Sequence, residues 1–313
     1  MKPLRVLVIY FVVVFLGGAA LAPWLYWLAQ SFGDVFPKVA GSPFHRFVNR
    51  SLLGLALAGL WPLLRSLGAT SLRDVGLVKP SGQWKKLGGG FALGFLSLAS
   101  VALVALASGA RALDVHQTHY GQRLLNAALA AVVVAVLEEI LFRGALFGAL
   151  RKALDFGFVL LSSSMIYAIV HFMGNGRLSG AVAWYSGFEL LPQMLRGFAN
   201  WQAIIPGFFT LTLAGILLGL AYQRTGNLYC SIGLHAGWIF WRKSYGILTR
   251  PADGHEWFWG SSKLFDGWLA LLVIAGTLVV FARTSGRKIN AEAQRVQRSA
   301  EEEAPQQNAR LKG

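Results

Sequence analysis

The sequence predicts an all-α, polytopic membrane protein of about eight transmembrane helices, with a polar site buried between them. Three observations predict it. Of 313 residues, 55% are hydrophobic and only 14% are charged, and the mean hydropathy of +0.52 exceeds that of an ordinary soluble domain. The apolar residues gather in runs of about 20, the length that crosses a hydrocarbon core of about 30 Å at ~1.5 Å per residue. The charges lie mostly between those runs or after the last of them.

The runs follow in order. Arg5–Gln30 comes first. Lys2 and Arg5 ahead of an apolar stretch containing Ala20-Leu21-Ala22 also fit a cleavable signal peptide. However, the run continues through Trp24, Tyr26 and Trp27, as an interfacial aromatic belt does, so a retained helix is expected. Further spans are expected at Val48–Leu67, Leu87–Ser108, Leu124–Leu150, Phe156–Phe172, Ala203–Gln223, Leu228–Tyr245 and Leu264–Ala282. The stretch 174–201 mixes Trp184, Tyr185, Phe188 and Leu190 with Glu189, Gln193 and Arg196. That composition suits an interfacial or re-entrant helix better than a full span. From Arg283 the chain is polar and poor in aromatics, as a disordered or weakly helical tail is. Four parts result: N-terminal helices 1–123, a core 124–248, a last helix 249–282 and a tail 283–313.

The formal net charge is +15. Because the cations flank apolar runs, a lipid bilayer with anionic headgroups is the expected counterpart, not nucleic acid. Arg65, Arg73, Lys79, Lys85 and Lys86, then Arg151 and Lys152, then Arg283, Arg287 and Lys288 all fall on one side if both termini are cytoplasmic. Lys38, Arg46, Arg50, Arg111 and Arg250 oppose that bias. A multi-pass protein of the cytoplasmic (inner) membrane with cytoplasmic termini is the expectation. The single cysteine, Cys230, excludes an intrachain disulfide and a cysteine-only metal site.

One run carries charges where they are costly. Val132–Leu150 reads VVVAVLEEILFRGALFGAL, with Glu138, Glu139 and Arg143 among apolar residues. Each charge at the centre of a membrane helix costs about 2.5–3.5 kcal/mol on insertion scales, which marks a candidate functional site. Glu139 and Arg143, four apart, share a helix face with the acid on the N-terminal side, the better order for an ion pair. Glu138 lies about 100° away. Arg143 therefore neutralises mainly Glu139, and Glu138 is left as the candidate general base. Two of six histidines, His171 and His235, lie inside apolar runs; His45, His116, His119 and His255 fall in loops. At ~1.5 Å per residue, Glu138, His171 and His235 sit about 18, 22 and 10 Å from the same membrane face, which permits convergence. Plainer roles exist for each. A buried Glu–Arg pair can lock two helices or line an ion path. A membrane histidine can bond between helices, and the glycines in the spans permit close packing. His116 and His119 beside Asp114 have metal-ligand character but suit an ordinary polar loop.

Taken in order, Glu-Glu-x-x-x-Arg (Glu138, Glu139, Arg143), aromatic-x-x-x-His (Tyr167, His171) and Ser-Ile-Gly-Leu-His ending at His235 resemble the CPBP family. These are intramembrane proteases related to the type II CAAX prenyl endopeptidase and to bacteriocin self-immunity proteins. The resemblance runs from about Leu124 to Arg242 and makes 124–248 a CPBP-like catalytic core. It implies an intramembrane endopeptidase acting on a membrane-associated peptide or protein, CAAX-prenylated or otherwise lipidated substrates included. It implies that Glu138 with His171 activates water, that Glu139 and Arg143 support them, and that His235 helps to stabilise the oxyanion. Two positions depart from the family. Tyr167 stands where Phe is usual, and Ile239 stands where the family often has an asparagine that contributes to the oxyanion hole. Isoleucine donates no hydrogen bond, so Tyr167 and Asn175 become candidates for a substitute donor.

The family is often labelled metalloprotease, and Glu138, His171 and His235 would be the ligands of a divalent metal such as zinc. No His-Glu-x-x-His helix is present, and Arg143 beside the acids disfavours a second cation, so a metal-free glutamate mechanism is preferred. Two other functions stay open: a non-catalytic scaffold or immunity-type binding protein that keeps the protease fold, and an ion-coupled transporter using the acids as a proton relay.

Overall fold

A computed structural model describes residues 2–116, 118–151, 154–199, 201–252 and 256–284. Nine principal helices are described: α1 (Leu4–Ser31), α2 (Phe44–Ser66), α3 (Trp84–Ala107), α4 (Tyr120–Arg151), α5 (Phe156–His171), α6 (Ser186–Met194), α7 (Trp201–Thr225), α8 (Tyr229–Leu248) and α9 (Trp268–Thr284). Two short strands, β1 (Arg111–Leu113) and β2 (Thr249–Pro251), pair antiparallel. The protein is a polytopic all-α membrane protein.

Each of the eight expected spans falls on one of these helices, but they are not equivalent. Among the described residues, α1, α2, α3, α4 and α7 are long and apolar enough to cross a membrane, whereas α5 and α9 are shorter apolar helices. Many of their Leu, Val and Ile side chains face outward, Val8 and Ile9 on α1 and Val132 and Val133 on α4 among them. In a bilayer that is where such side chains belong, because lipid is as apolar as they are. α8 differs: every residue from Tyr229 to Ile239 is buried inside the protein. The expected interfacial segment contains α6, which turns Leu190 inward and leaves Trp184 and Tyr185 exposed just ahead of it. Its Gly187 lies so close to the Ala19 carbonyl on α1 that a Cβ there would stand 1.9 Å from the oxygen.

α8 is held at the centre by a seam of glycines. A Cβ at Gly90 or Gly94 of α3 would lie 2.2 or 2.1 Å from the carbonyls of Cys230 and Leu234, and one at Gly233 of α8 would lie 2.0 Å from that of Leu87. Both helices therefore carry small residues four apart that let two backbones touch, an arrangement suited to hydrocarbon, where packing replaces the hydrophobic effect. At one end of the seam β1 pairs with β2, and Arg111 is buried there. Its guanidinium donates to the Thr249 carbonyl (3.2 Å) and hydroxyl (3.1 Å) and lies over the Tyr245 ring, 4.9 Å from its centre. Arg111, counted from the sequence against the charge bias, is thus committed to α8 and is not a free loop cation.

At the other end, the loop between α2 and α3 docks on the start of α8 through Leu228 N–H to the Gly76 carbonyl (2.9 Å). Asp74 organises that loop, accepting from Thr70 N (2.7 Å), Ser71 N (2.8 Å) and the Thr70 hydroxyl (3.0 Å). Those bonds, chiefly the one from the Thr70 amide, hold its carboxyl down to about 2. The start of α1 packs beside Gly148–Arg151, and Arg224 binds the Phe281 carbonyl of α9 at 3.0 Å. Both ends of the described chain therefore lie at the same end of the bundle. Of the expected tail, 285–313 lies outside the described residues, as do His255 and Lys152.

Candidate active site

Glu138 and Glu139 sit where α4 changes character. The helix is α-helical through Glu139 and takes π geometry from Ile140 to Phe147. Such wide-turn insertions recur at functional sites because they re-aim side chains within a continuous helix. The two acids end up in different surroundings.

Glu139 is fully buried, and its Oε1 accepts from Arg143 Nη1 at 2.8 Å and from His235 Nδ1 at 2.9 Å. Arg143 donates from Nη2 to the Gly215 carbonyl of α7 at 3.2 Å and lies 4.9 Å over the Tyr167 ring of α5. One ion pair thus ties α4 to α5, α7 and α8. Ser231, also fully buried, stands beside the Glu139 carboxylate.

Glu138 faces the other way, towards His171 Nε2 at 3.6 Å and His235 Nε2 at 3.7 Å. Its Oε2 is buried with no hydrogen-bond partner among the described residues. The protons on the rings can be placed from what each nitrogen meets. His171 Nδ1 lies 2.8 Å from the Tyr167 carbonyl, which can only accept, so Nδ1 carries hydrogen. His235 Nδ1 meets the Arg143-paired carboxylate of Glu139, again an acceptor. With one proton per ring, both Nε2 atoms present lone pairs. That of His235 takes the Tyr167 hydroxyl at 3.1 Å; that of His171 points at Glu138. Glu138 and His171 therefore form a patch of free acceptors suited to hold a hydrogen-donating guest, with the Tyr167–His235 bond beside it.

This patch lies between two cavities. One, of about 220 Å³, is lined by Tyr167, His235, Ile239 and Phe265 among others; the second, of about 410 Å³, lies against α1 and α2 and includes Asn49 and Asn175. Glu138 and His171 line both.

All five candidate residues, Glu138, Glu139, Arg143, His171 and His235, are brought together from α4, α5 and α8. The two candidate donors part company. Tyr167 lines the smaller cavity beside His235, whereas Asn175 lines the larger one and accepts a hydrogen bond from Asn49 (2.8 Å). His116 and His119 stay away from the site; the His116 amide donates to Asp114 Oδ1 at 3.2 Å, and His119 takes a left-handed backbone (φ 60°) ahead of α4. Sequence reasoning missed Arg242 and Lys243, which line the smaller cavity one and two residues past Trp241. The signal was present, since both are cations inside an expected span, the same cost that singled out Glu138.

The residues present do not fit a metal. His235 engages both ring nitrogens, with Glu139 and with Tyr167, and only Glu138 and His171 remain of the conditional ligand set. Among the described residues no group of three or more His, Cys, Asp or Glu is arranged to hold an ion.

Fold and site together define a helical membrane protein with a glutamate–histidine centre sunk between its helices. Residues 120–241 match the family described as type II CAAX prenyl endopeptidase Rce1-like. That match supports the resemblance to the CPBP family of intramembrane proteases over this region, which contains Glu138, Glu139, Arg143, Tyr167, His171, His235 and Ile239. No curated protein and no solved structure matches the chain.

Proposed function

We propose that the protein is an intramembrane endopeptidase that hydrolyses a peptide bond of a membrane-associated substrate, lipidated and CAAX-prenylated peptides among the candidates. The observation that carries this reading is the unpartnered Glu138 Oε2 facing two imidazole nitrogens on the wall between two cavities. A water donating to Glu138 and to His171 Nε2 is oriented with its oxygen lone pairs free. Glu138 takes a proton as that oxygen attacks the carbonyl carbon. The tetrahedral oxyanion then collapses, the C–N bond breaks, and the proton passes through Glu138 and His171 to the departing amine. Glu139 and Arg143 keep His235 and Tyr167 in place. Both termini are assigned to the cytoplasmic side of the inner membrane, in line with the shared end of α1 and α9; a reporter fused after the last helix reads this directly.

The test compares membrane proteomes of a deletion strain complemented with wild type or with Glu138→Gln. Peptides cut in the wild-type strain alone are expected, with the variant present at equal abundance. Equal cleavage by Glu138→Gln would remove the assignment. Ile239, which places no donor in the cavity, favours a second reading, a non-catalytic scaffold of the same fold. That reading gains if the two strains are identical and a stable uncut partner copurifies.

A further inference from the structure

Hydrolysis through a tetrahedral intermediate needs a hydrogen-bond donor where negative charge develops on oxygen. Few groups beside Glu138 have a hydrogen to give. The Nδ1 hydrogens of His171 and His235 are committed to the Tyr167 carbonyl and to Glu139. Elsewhere on the smaller cavity, the Thr210 hydroxyl donates to the Pro206 carbonyl (2.7 Å) and the Trp238 indole to Ser97 (2.9 Å). Ile239 has none. Arg242 and Lys243 follow His235 by seven and eight residues, about 10 and 12 Å further along α8 at ~1.5 Å per residue, and both are exposed rather than enclosed beside Glu138. On that cavity the Tyr167 hydroxyl remains; the Asn49 and Asn175 amides lie on the other cavity, away from His235. The Tyr167 hydroxyl is buried, 3.1 Å from His235 Nε2, which is itself 3.7 Å from Glu138 Oε2.

We infer that Tyr167 is a catalytic residue of this chain, its phenolic O–H supplying the oxyanion donor that Ile239 does not, with His235 as the residue that positions it. The inference rests on the endopeptidase reading above. In the free protein the O–H rests on the His235 lone pair; when the substrate carbonyl enters, it turns about the Cζ–O bond to the developing oxyanion. The proton stays on Tyr167 throughout, so the water proton still travels by Glu138. The surroundings suit this task. Arg143 lies over one face of the ring and Phe142 meets it edge-on at 5.2 Å, while Tyr167 is anchored on α5 one turn before His171. The hydroxyl is thus aimed before any substrate binds. Tyr167 on α5 then stands in for the asparagine that the family this chain resembles often has at the position of Ile239 on α8.

The experiment uses full-length protein in the deletion strain, with cleavage of the strain's own membrane proteins as the readout and Glu138→Gln as the blank. Tyr167→Phe keeps the ring and removes only the hydroxyl. It is expected to slow Glu138-dependent cleavage by about 10²–10³-fold, the cost of one oxyanion donor. Ile239→Asn added to Tyr167→Phe returns a donor from the α8 side and is expected to recover about tenfold or more, an effect that general damage to the fold would not produce. Cleavage by Tyr167→Phe within about threefold of wild type would overturn the inference, as would a loss that Ile239→Asn leaves unchanged. If Glu138→Gln cleaves as well as wild type, it is the endopeptidase reading that fails; a dead Glu138→Gln beside an unimpaired Tyr167→Phe removes only the role of Tyr167.

Discussion

Glu138 and Glu139 are neighbours on one helix and belong to different regions. Glu139 lies in a sealed junction: it is 0% exposed, salt-bridged to Arg143, bonded to His235 and backed by the glycine seam of α3 and α8. Glu138 lies on an open wall with 27% of its side chain exposed, two cavities beside it and an unpartnered Oε2 turned towards two imidazoles; the Oε2 of Glu139 has no partner among the described residues either, but it is sealed away from both cavities. The difference teaches how a membrane protein carries two adjacent carboxylates between its helices. One acid is spent on fixing the geometry so that the other can be left open to a guest. An unsatisfied buried group is costly, and it persists only where its surroundings are over-determined.

The comparison can be broken most forcefully at Arg143. Arg143→Met strands Glu139 without its cation and is expected to lower unfolding stability in detergent by about 3–5 kcal/mol, whereas Glu138→Gln should leave the unfolding curve almost unmoved. Similar losses from both would erase the division between the two regions. The seam offers a smaller and sharper contrast. Gly233→Ala drives a methyl against the Leu87 carbonyl and is expected to cost about 1–3 kcal/mol. Gly88→Ala on α3, with open space around the new atom, should be neutral or stabilise by up to ~1 kcal/mol. Thermal melts of the two variants decide whether position on α3 and α8, rather than glycine content, sets the effect.

The smallest expected effect lies outside both regions. Asp74 titrates at about 2 when folded against an ordinary value of 3.8, so its contribution is complete above pH 4 and is lost as pH falls towards 2. The gap in melting temperature between wild type and Asp74→Asn should close over that interval. A gap that persists at pH 2 would show that the loop does not depend on the charge.

Much of this was legible in the residues. The price of charge in hydrocarbon singled out Glu138, Glu139 and Arg143, and helical spacing already stacked the last two. His171 and His235 stood out as polar groups in apolar runs. What could not be read has physical causes. The π segment after Glu139 packs against α5, α7 and the α2–α3 loop, and no local residue preference marks it in the sequence. Tyr167 is an ordinary aromatic until α8 brings His235 to its hydroxyl. The seam joins Gly90 to Cys230, too far apart in sequence for periodicity to reveal. Arg242 and Lys243 are readable by the same cost of charge, although they fall near the end of a run.

The bonds around Glu139 also differ in when they can form. Arg143 is four residues away and emerges from synthesis almost together with its acid; His235 comes 96 residues later. At about 5–20 residues per second that is roughly 5–20 s in which α4 must already be accommodated by the membrane. Of these two partners, only Arg143, within the same helix, can pair with the buried acid during that interval. The Glu139–Arg143 pair is therefore a device of biogenesis as well as of architecture: the helix is delivered with its inner charge balanced, and the final chain segment of the core arrives to find a junction half assembled.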